Sequence, residues 1–561
     1  MLGTLWAALV GAACSGTPPG AGPVADLLIV NGRVFTADEQ GTMAQAVAVA
    51  GNQILRVGTD QELAALRGPG TRVIDAHGAT VTPGFNYSHV HFLSGGASLG
   101  DVDLAGLATL PQVQNAIRDF ATDKPEVAWV KGRGWLYSPF PGGTPTKAQL
   151  DAVVADRPAV MTCYDGHSIW VNSKALAMAG ITKDTPNPPN GVVVKDPKTG
   201  EPTGHLKESA TGLVTGIMPK PTAADRRAAL RTAVAHAHRV GVTSVQNAGG
   251  DPDEMTLYDE ARRAGELQVR TYLAFSAQAG TTEADLDRMA EIRKQFGDDP
   301  ALKTGAVKIY ADGVIESRTA ALLAPYTNSP SAGSPNLSAD ELNRLVTMID
   351  KRGWQIWIHA IGDRAIRMSL DAFERAAADN PTPAGGRRHR IEHIETIDAA
   401  DIPRFARQGV IASQQPMHVP LGDMNSAHPS GPWPDNLGPD RASRAWAWKS
   451  IQDAGGRLTF GSDWPVAPLS PGQGIWVAAT RNGPPNAADQ KLPTRDVING
   501  STRWPAYASF EEQRKGTLAS GMLADLVVLS ADLLARPPST ATDVVVETTI
   551  FDGKIVYQKP K

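Results

Sequence analysis

Six polar residues, spread along most of the chain, each sit in or just after an apolar run. His89 and His91 close TVTPGFNYSHVHF, Lys308 lies in GAVKIYADG, His359 in WQIWIHAIGD, His393 in RHRIEHIET and Asp463 in RLTFGSDWP. Each run is rich in Val, Ile, Phe or Trp and is followed by Gly, Asp or Pro, the pattern of a short buried β-strand. Polar groups at the C-terminal ends of several different strands are the arrangement of a (β/α)8 barrel active site. Histidine with aspartate is a metal-ligand mixture. A single strand-end histidine is more often structural, but six such residues in one pattern are poorly explained that way.

The elements that must position these groups can be read from the same pattern. VRTYLAF, AVKIYADG, QIWIHAIG, HRIEHIE, VIASQQP and LTFGSDW read as strands, and helical patterns such as ADELNRLVTMIDKRG and AIRMSLDAFERAAAD separate most of them. Strand–helix alternation predicts a parallel sheet closed as a barrel. The expected fold class is therefore α/β, with a (β/α)8 TIM barrel over residues 83–513. The first candidate strand after His91 is GVTSVQNAGG at 241–250, so about 100–225 is expected to be an insertion after barrel strand 1. Both ends of the chain are β-rich. Hairpins are expected at Asn31 and Gly32, at Gly51 and Asn52, and at Asp552 and Gly553. Residues 24–82 and 514–561 are expected to form one composite β-sandwich.

With 561 residues, the chain accommodates a barrel, an insertion and an accessory domain. Hydrophobic content of 42% and charged content of 20% are those of a soluble globular protein, and a net charge of −4 argues against nucleic-acid binding. Cys14 and Cys163 are the only cysteines, which excludes a disulfide framework or a cysteine zinc site. Residues 1–23 read as a leader and tether. LWAALVGAA resembles the apolar core of a secretory signal, and Cys14 after Gly11, Ala12 and Ala13 resembles a bacterial lipobox. Gly11 stands where that motif usually has Leu, Val or Ile, and no Lys or Arg precedes the run. The expectation is a lipid anchor through Cys14 at the bacterial cell envelope, with a cytoplasmic location as the alternative.

The segments PGFNYSHVHFLSGG, DGHSIWVNSKAL, VKIYADGVIESRTAALLAPY, IHAIGDRA, IEHIE, FGSDWPV and RKGTLASGMLADLVVLSADL occur in this order over residues 24–561. By them the chain resembles the metal-dependent amidohydrolase superfamily, in its YtcJ-like branch, which includes N-substituted formamide deformylase. His89 and His91, at i and i+2 on a strand, face the same way and can ligate one metal with Asp463. His359 and His393, on consecutive strand ends, can ligate a second. In many relatives a lysine at the position of Lys308 is carboxylated and bridges two metals. The alternative is a lysine paired to Asp312 or Glu316. One or two divalent ions are expected, zinc first, with manganese, iron or cobalt also fitting.

Such ions polarise a carbonyl and acidify water, and Asp463 would move the proton to a leaving nitrogen. The expected chemistry is hydrolysis of an amide-like C–N bond in a small-molecule amide, formamide or carbamate. Lactone or ester hydrolysis and deamination are alternatives at the same centre, and an exported binding protein without catalysis is the rival of another class. His167 resembles a family position near the substrate carbonyl, as a catalytic or binding group. Trp135, Arg318 and His418 are candidate substrate contacts, with packing as the competing role for Trp135. Asp312 and Arg318 are expected to order the loop after Lys308, and Asp363 and Arg364 to cap a helix or support the ligands. Asn86, Tyr87 and Asn247 depart from the family pattern at positions that are not metal ligands. A homo-oligomer is left open.

Overall fold

A computed structural model describes residues 23–297, 299–419, 431–482, 487–536, 538–540 and 542–560. Cys14 and the proposed leader lie outside these residues. Among the described residues no helix is long and apolar enough to cross a membrane.

Eight parallel strands form one sheet: β1 (Phe85–Val90), β2 (Val242–Gly250), β3 (Arg270–Ser276), β4 (Leu302–Tyr310), β5 (Gln355–Ala360), β6 (Arg390–His393), β7 (Ile411–Gln414) and β8 (Arg457–Phe460). Each pairs with its sequence neighbour, as the alternating pattern predicts. All six residues of β5 are buried, because barrel strands are covered by side chains inside and helices outside. The helix Ala339–Lys351 shows how that outer layer forms. Ser338 and Glu341 make a reciprocal cap at its start, and Leu342, Leu345, Val346 and Ile349 bury one face. Inside the barrel, Ala248, Ala274 and Ala306 leave room for two large rings, Tyr272 and Trp357, in edge contact at 5.5 Å.

The barrel closes just beyond the end of β8. The Asp463 backbone N donates to His89 O at 2.9 Å, and the His91 N donates to Trp464 O at 2.7 Å. Gly461 permits this approach, because a Cβ there would lie 2.7 Å from the backbone N of His89.

Two further sheets involve both ends of the chain. Ala25–Val30, Ala46–Ala50, Gln53–Gly58 and Arg67–Asp75 form one; Arg33–Phe35, Met43–Ala44, Thr80–Pro83, Leu526–Leu529, Val546–Phe551 and Lys554–Gln558 form the other. Leu526–Leu529 pairs antiparallel with Thr80–Pro83, joining the two ends of the chain. The turns at Gly51 and at Asp552 and Gly553 are hairpins. The turn at Asn31 and Gly32 is not. Ala25–Val30 and Arg33–Phe35 lie in different sheets, and the turn carries the chain between them. Gly32 N donates to Gln45 O at 2.8 Å and Arg33–Phe35 pairs with Met43–Ala44 and Thr80–Pro83, so tertiary pairing overrides the local hairpin signal.

Between β1 and β2 lies a six-stranded sheet of Val102–Asp103, Val130–Trp135, Ala159–Cys163, Ser168–Val171, Gly191–Lys195 and Pro202–Glu208, with its own apolar clusters.

Arg270 at the start of β3 ties the barrel to the terminal strands. Its Nε donates to Asp525 Oδ2 at 2.5 Å, and its Nη2 donates to Asp525 Oδ1 at 3.0 Å and Asp552 Oδ1 at 2.9 Å. Arg270 and Asp525 are both buried. Arg270→Ala would strand a buried carboxylate and is expected to cost about 3–5 kcal/mol. Urea unfolding with a change below about 1 kcal/mol would show that the pair does not hold the two units together.

Candidate metal centre

The strand ends bring two overlapping ligand groups together. Asp463 Oδ1 lies 3.3 Å from His89 Nε2 and 3.1 Å from His91 Nε2. Asp463 Oδ2 lies 3.9 Å from His418 Nε2. In each of two sets, His89, His91 and Asp463, and His393, His418 and Asp463, the candidate ligand atoms lie within 4.8 Å of one another. Asp463 is common to both. The structure brings His418, rather than His359, into the set with His393. His359 stands beside His393, with ring centroids 4.4 Å apart, but its Nε2 is 3.2 Å from Gly313 O. His418 follows β7 on a single turn, Pro416–His418, and its ring stacks on His393 at 5.7 Å.

Backbone geometry puts His393 where strand alternation alone would not. Arg390 and Glu392 share the inner face of β6. His389, of opposite parity, faces the helical layer, stacked on Phe373 at 4.8 Å with its Nε2 3.0 Å from Asp350 Oδ1. His393 has the parity of His389 and would also face out. Its φ of 75° and that of Ile394, 54°, turn it inward, and Asp463 has φ 59°. Non-glycine residues in this region cost about 1–3 kcal/mol each and persist where surrounding structure imposes them.

The residues present fit a bound cation. His89 Nε2, His393 Nδ1, His418 Nε2, Asp463 Oδ1 and Lys308 Nζ are buried without a hydrogen-bond partner. Each such atom costs about 1–3 kcal/mol if nothing satisfies it. Burial holds His359 and His393 well below the usual imidazole range and lowers His91, which leaves neutral rings with lone pairs to share. Burial would raise Asp463, but His89 and His91 hold it well below the usual carboxylate range, in the charged form a ligand needs. His418 differs. Burial opposes its protonation, yet Glu395 and Asp463 outweigh burial and raise its pKa above the usual imidazole value. Burial pulls Lys308 down to about 8, against the charges of Asp463 and Glu392. Lys308 is paired to neither Asp312 nor Glu316. Asp312 accepts backbone N–H groups of Ala321, Ile361 and Gly362 at 2.9–3.0 Å, and Glu316 accepts the Tyr164 hydroxyl.

Glu392 was not singled out in the sequence. Its Oε2 lies 2.6 Å from His89 Nδ1, and its Oε1 accepts Arg390 Nε at 2.7 Å. Arg390 Nη2 donates to Ser88 O at 2.7 Å, and Nη1 to Gln246 Oε1. Burial would raise Glu392, but Arg390 and His89 bring it down to about 2. The available signal was two opposite charges at i and i+2 in an otherwise buried strand. Asn247 also supports a ligand, since its Oδ1 accepts the N–H of Phe92 at 2.7 Å, next to His91.

His167 comes from the insertion and lies 5.5 Å from His359, centroid to centroid. Its Nδ1 is 2.9 Å from Glu208 Oε2. Burial opposes its charge, but Glu208 outweighs it and raises the pKa to about 9. Trp135 is fully buried in the core of the insertion, against Tyr137 and Phe140, with Nε1 donating to Met161 O at 2.7 Å. These contacts are those of a packed core side chain. Arg318 is exposed and donates to Asn436 Oδ1 at 3.1 Å, which orders its loop. Asp363 opens the helix Asp363–Asp379 and accepts Leu323 N at 2.8 Å, and Arg364 N donates to Ala321 O at 3.1 Å. Asn86 Oδ1 lies 3.5 Å from Gln246 Nε2, and Tyr87 is buried.

A barrel with these groups at its strand ends defines a class, and the comparisons agree with it. Residues 72–557 match the amidohydrolase family. Putative amidohydrolase YtcJ of Bacillus subtilis is 33% identical, over 94% of this chain and 98% of that protein. N-substituted formamide deformylase of Arthrobacter pascens is 28% identical, over 95% and 98%. The solved structure of an uncharacterised metal-dependent hydrolase from Pyrococcus furiosus has the same fold, with TM-score 0.68 and 24% identity over 91% of this chain and 99% of that one. The chain belongs to the amidohydrolase family, and it is a hydrolase of the class that acts on carbon–nitrogen bonds.

Glu392→Gln keeps the shape of the side chain but removes the charge that orients His89. It is expected to weaken metal retention about 10–100-fold with the fold intact. Competition with a chelator measures this, and unchanged affinity would remove Glu392 from the support of the site.

Proposed function

We propose that the enzyme hydrolyses the C–N bond of a small amide, formamide or carbamate, with His89, His91, Asp463, His393 and His418 holding one or two divalent ions, zinc first among them. The observation that carries this reading is the convergence of orphaned, buried ligand atoms next to a cationic histidine. The ions, when bound, would polarise the substrate carbonyl and acidify the attacking water.

The rest of the chemistry belongs to the chain. His167, held as an imidazolium by Glu208, donates its remaining N–H to the carbonyl oxygen, where negative charge develops. Asp463 receives the proton of the water as its oxygen bonds to the carbonyl carbon. It returns that proton to the nitrogen as the C–N bond breaks, giving an amine and a carboxylic acid or, from a carbamate, a carbonic acid half-ester. Lys308 belongs to this reading as a carbamate. Its buried Nζ, without a hydrogen-bond partner and with a pKa near 8, keeps a neutral fraction that can add CO2 and release a proton. The resulting anion suits a site for cations better than an ammonium does.

Metal-loaded enzyme should release amine from a panel of N-formyl, N-acyl and carbamate compounds. Turnover confined to esters or lactones would defeat the C–N reading. Lys308→Ala should lose activity about a hundredfold or more, with partial return on adding a short carboxylic acid; wild-type turnover in this variant would remove the carbamate.

His167 carries its charge until pH rises through about 9, so kcat is expected to fall there. Glu208→Gln removes the group that raises this pKa and should move the alkaline limb toward neutral pH. A pH profile unchanged in Glu208→Gln would dissociate His167 from the reaction.

A further inference from the structure

The end of the barrel opposite the metal centre holds a second cavity, of about 250 Å³, among the segments that lead into β4, β5 and β6. Its lining includes the cations Arg293, Lys303 and Arg387, the rings of Tyr272, Trp354 and Phe510, and no carboxylate among the described residues. Arg387 is committed elsewhere, donating to Asp350 Oδ1 at 2.8 Å, Thr382 Oγ1 at 2.8 Å and Asn380 O at 2.7 Å. Lys303 lies 3.5 Å from Glu511 and 4.7 Å from the centre of the Tyr272 ring. Arg293 is different. Among the described residues its guanidinium donates one hydrogen bond, from Nη1 to Gly353 O at 3.3 Å, and pairs with no carboxylate. It lies 5.0 Å from the Trp354 ring centre and against Gly305, where a Cβ would come within 3.2 Å of its Nε. The fork is thus held in place, and among the described residues most of its N–H groups have no partner. Phe510, a large apolar ring left 36% exposed, lies on the same rim.

We propose that this cavity is a binding site for a small aromatic carboxylate. Among the described residues, Arg293 is a half-buried guanidinium without an anion, and its planar fork matches a carboxylate. The exposed Phe510 ring supplies an apolar edge for the body of the ligand. The size agrees, since a cavity of roughly 150 Å³ holds a benzene ring. The site also connects physically with the barrel interior. Tyr272 meets Trp357 edge-on at 5.5 Å, and the Arg390 guanidinium lies 3.7 Å from the centre of Trp357.

Calorimetric titration of the full chain with benzoate tests this, with benzylamine and inorganic phosphate as controls. Benzoate is expected to bind saturably, phosphate more weakly and benzylamine not at all. Arg293→Gln should weaken benzoate by about tenfold or more, as loss of a charged hydrogen bond requires. Phe510→Ala should weaken benzoate severalfold and leave phosphate unchanged, and it tests the rim without touching the charge. A carboxylate could instead bind at the metal centre, so both titrations are repeated on metal-stripped protein. Benzoate binding that vanishes on stripping, or that survives Arg293→Gln at full strength, would overturn the proposal. So would phosphate binding tighter than benzoate, or no saturable binding.

Discussion

A fully buried chain of hydrogen bonds, Arg390 to Glu392 to His89, is the interaction on which the centre depends. An isolated carboxylate inside the barrel would be neutralised by burial. Arg390 prevents that, and Glu392 in turn fixes the His89 ring so that Nε2 points toward Asp463. The guanidinium itself is fixed by Ser88 O, Gln246 and the face of Trp357. Strands β1, β2, β5 and β6 are therefore tied to one ligand. The alanines that make room for Trp357 and Tyr272 belong to the same arrangement, since a bulkier residue at Ala248, Ala274 or Ala306 would displace the rings that support the guanidinium.

Much of the fold was legible in the sequence because barrel strands are buried on both sides. QIWIHA and RLTF could be nothing but short apolar runs, and polar residues at their ends stood out against them. His89 and His91 could be grouped because alternation places i and i+2 on one face. The same rule fails at His393, where the positive φ of His393 and of Ile394 turns the side chain inward without leaving a mark in the sequence. His418 was hard to place because it follows a strand on a turn, where periodicity says nothing about direction. The Asn31 and Gly32 turn misled for a related reason. Its local signal is real, but which strand lies beside Arg33 is decided by pairing partners far along the chain.

The insertion gives the barrel what its own strands lack. The strand ends supply imidazoles and a carboxylate, suited to holding cations. His167, delivered by the sheet between β1 and β2, supplies a positively charged donor paired to Glu208 within the same unit. That pair is internal to the insertion, and Glu208 is the main source of charge stabilisation for His167. Segments such as this one can then vary the substrate without disturbing the groups that hold the ions.

The place where the barrel closes has a consequence for assembly. His91 and Asp463 lie on either side of the seam between the first and last strands, and the backbone bonds that shut it come from the candidate ligand residues themselves. A cation held by both would act as a rivet across that seam. A nascent chain that has made His89 and His91 but not yet Asp463 can offer only part of a coordination shell. Firm retention of the ion would then mark completed synthesis and correct closure, and a truncated or misfolded copy would remain inactive and leave its ion in solution.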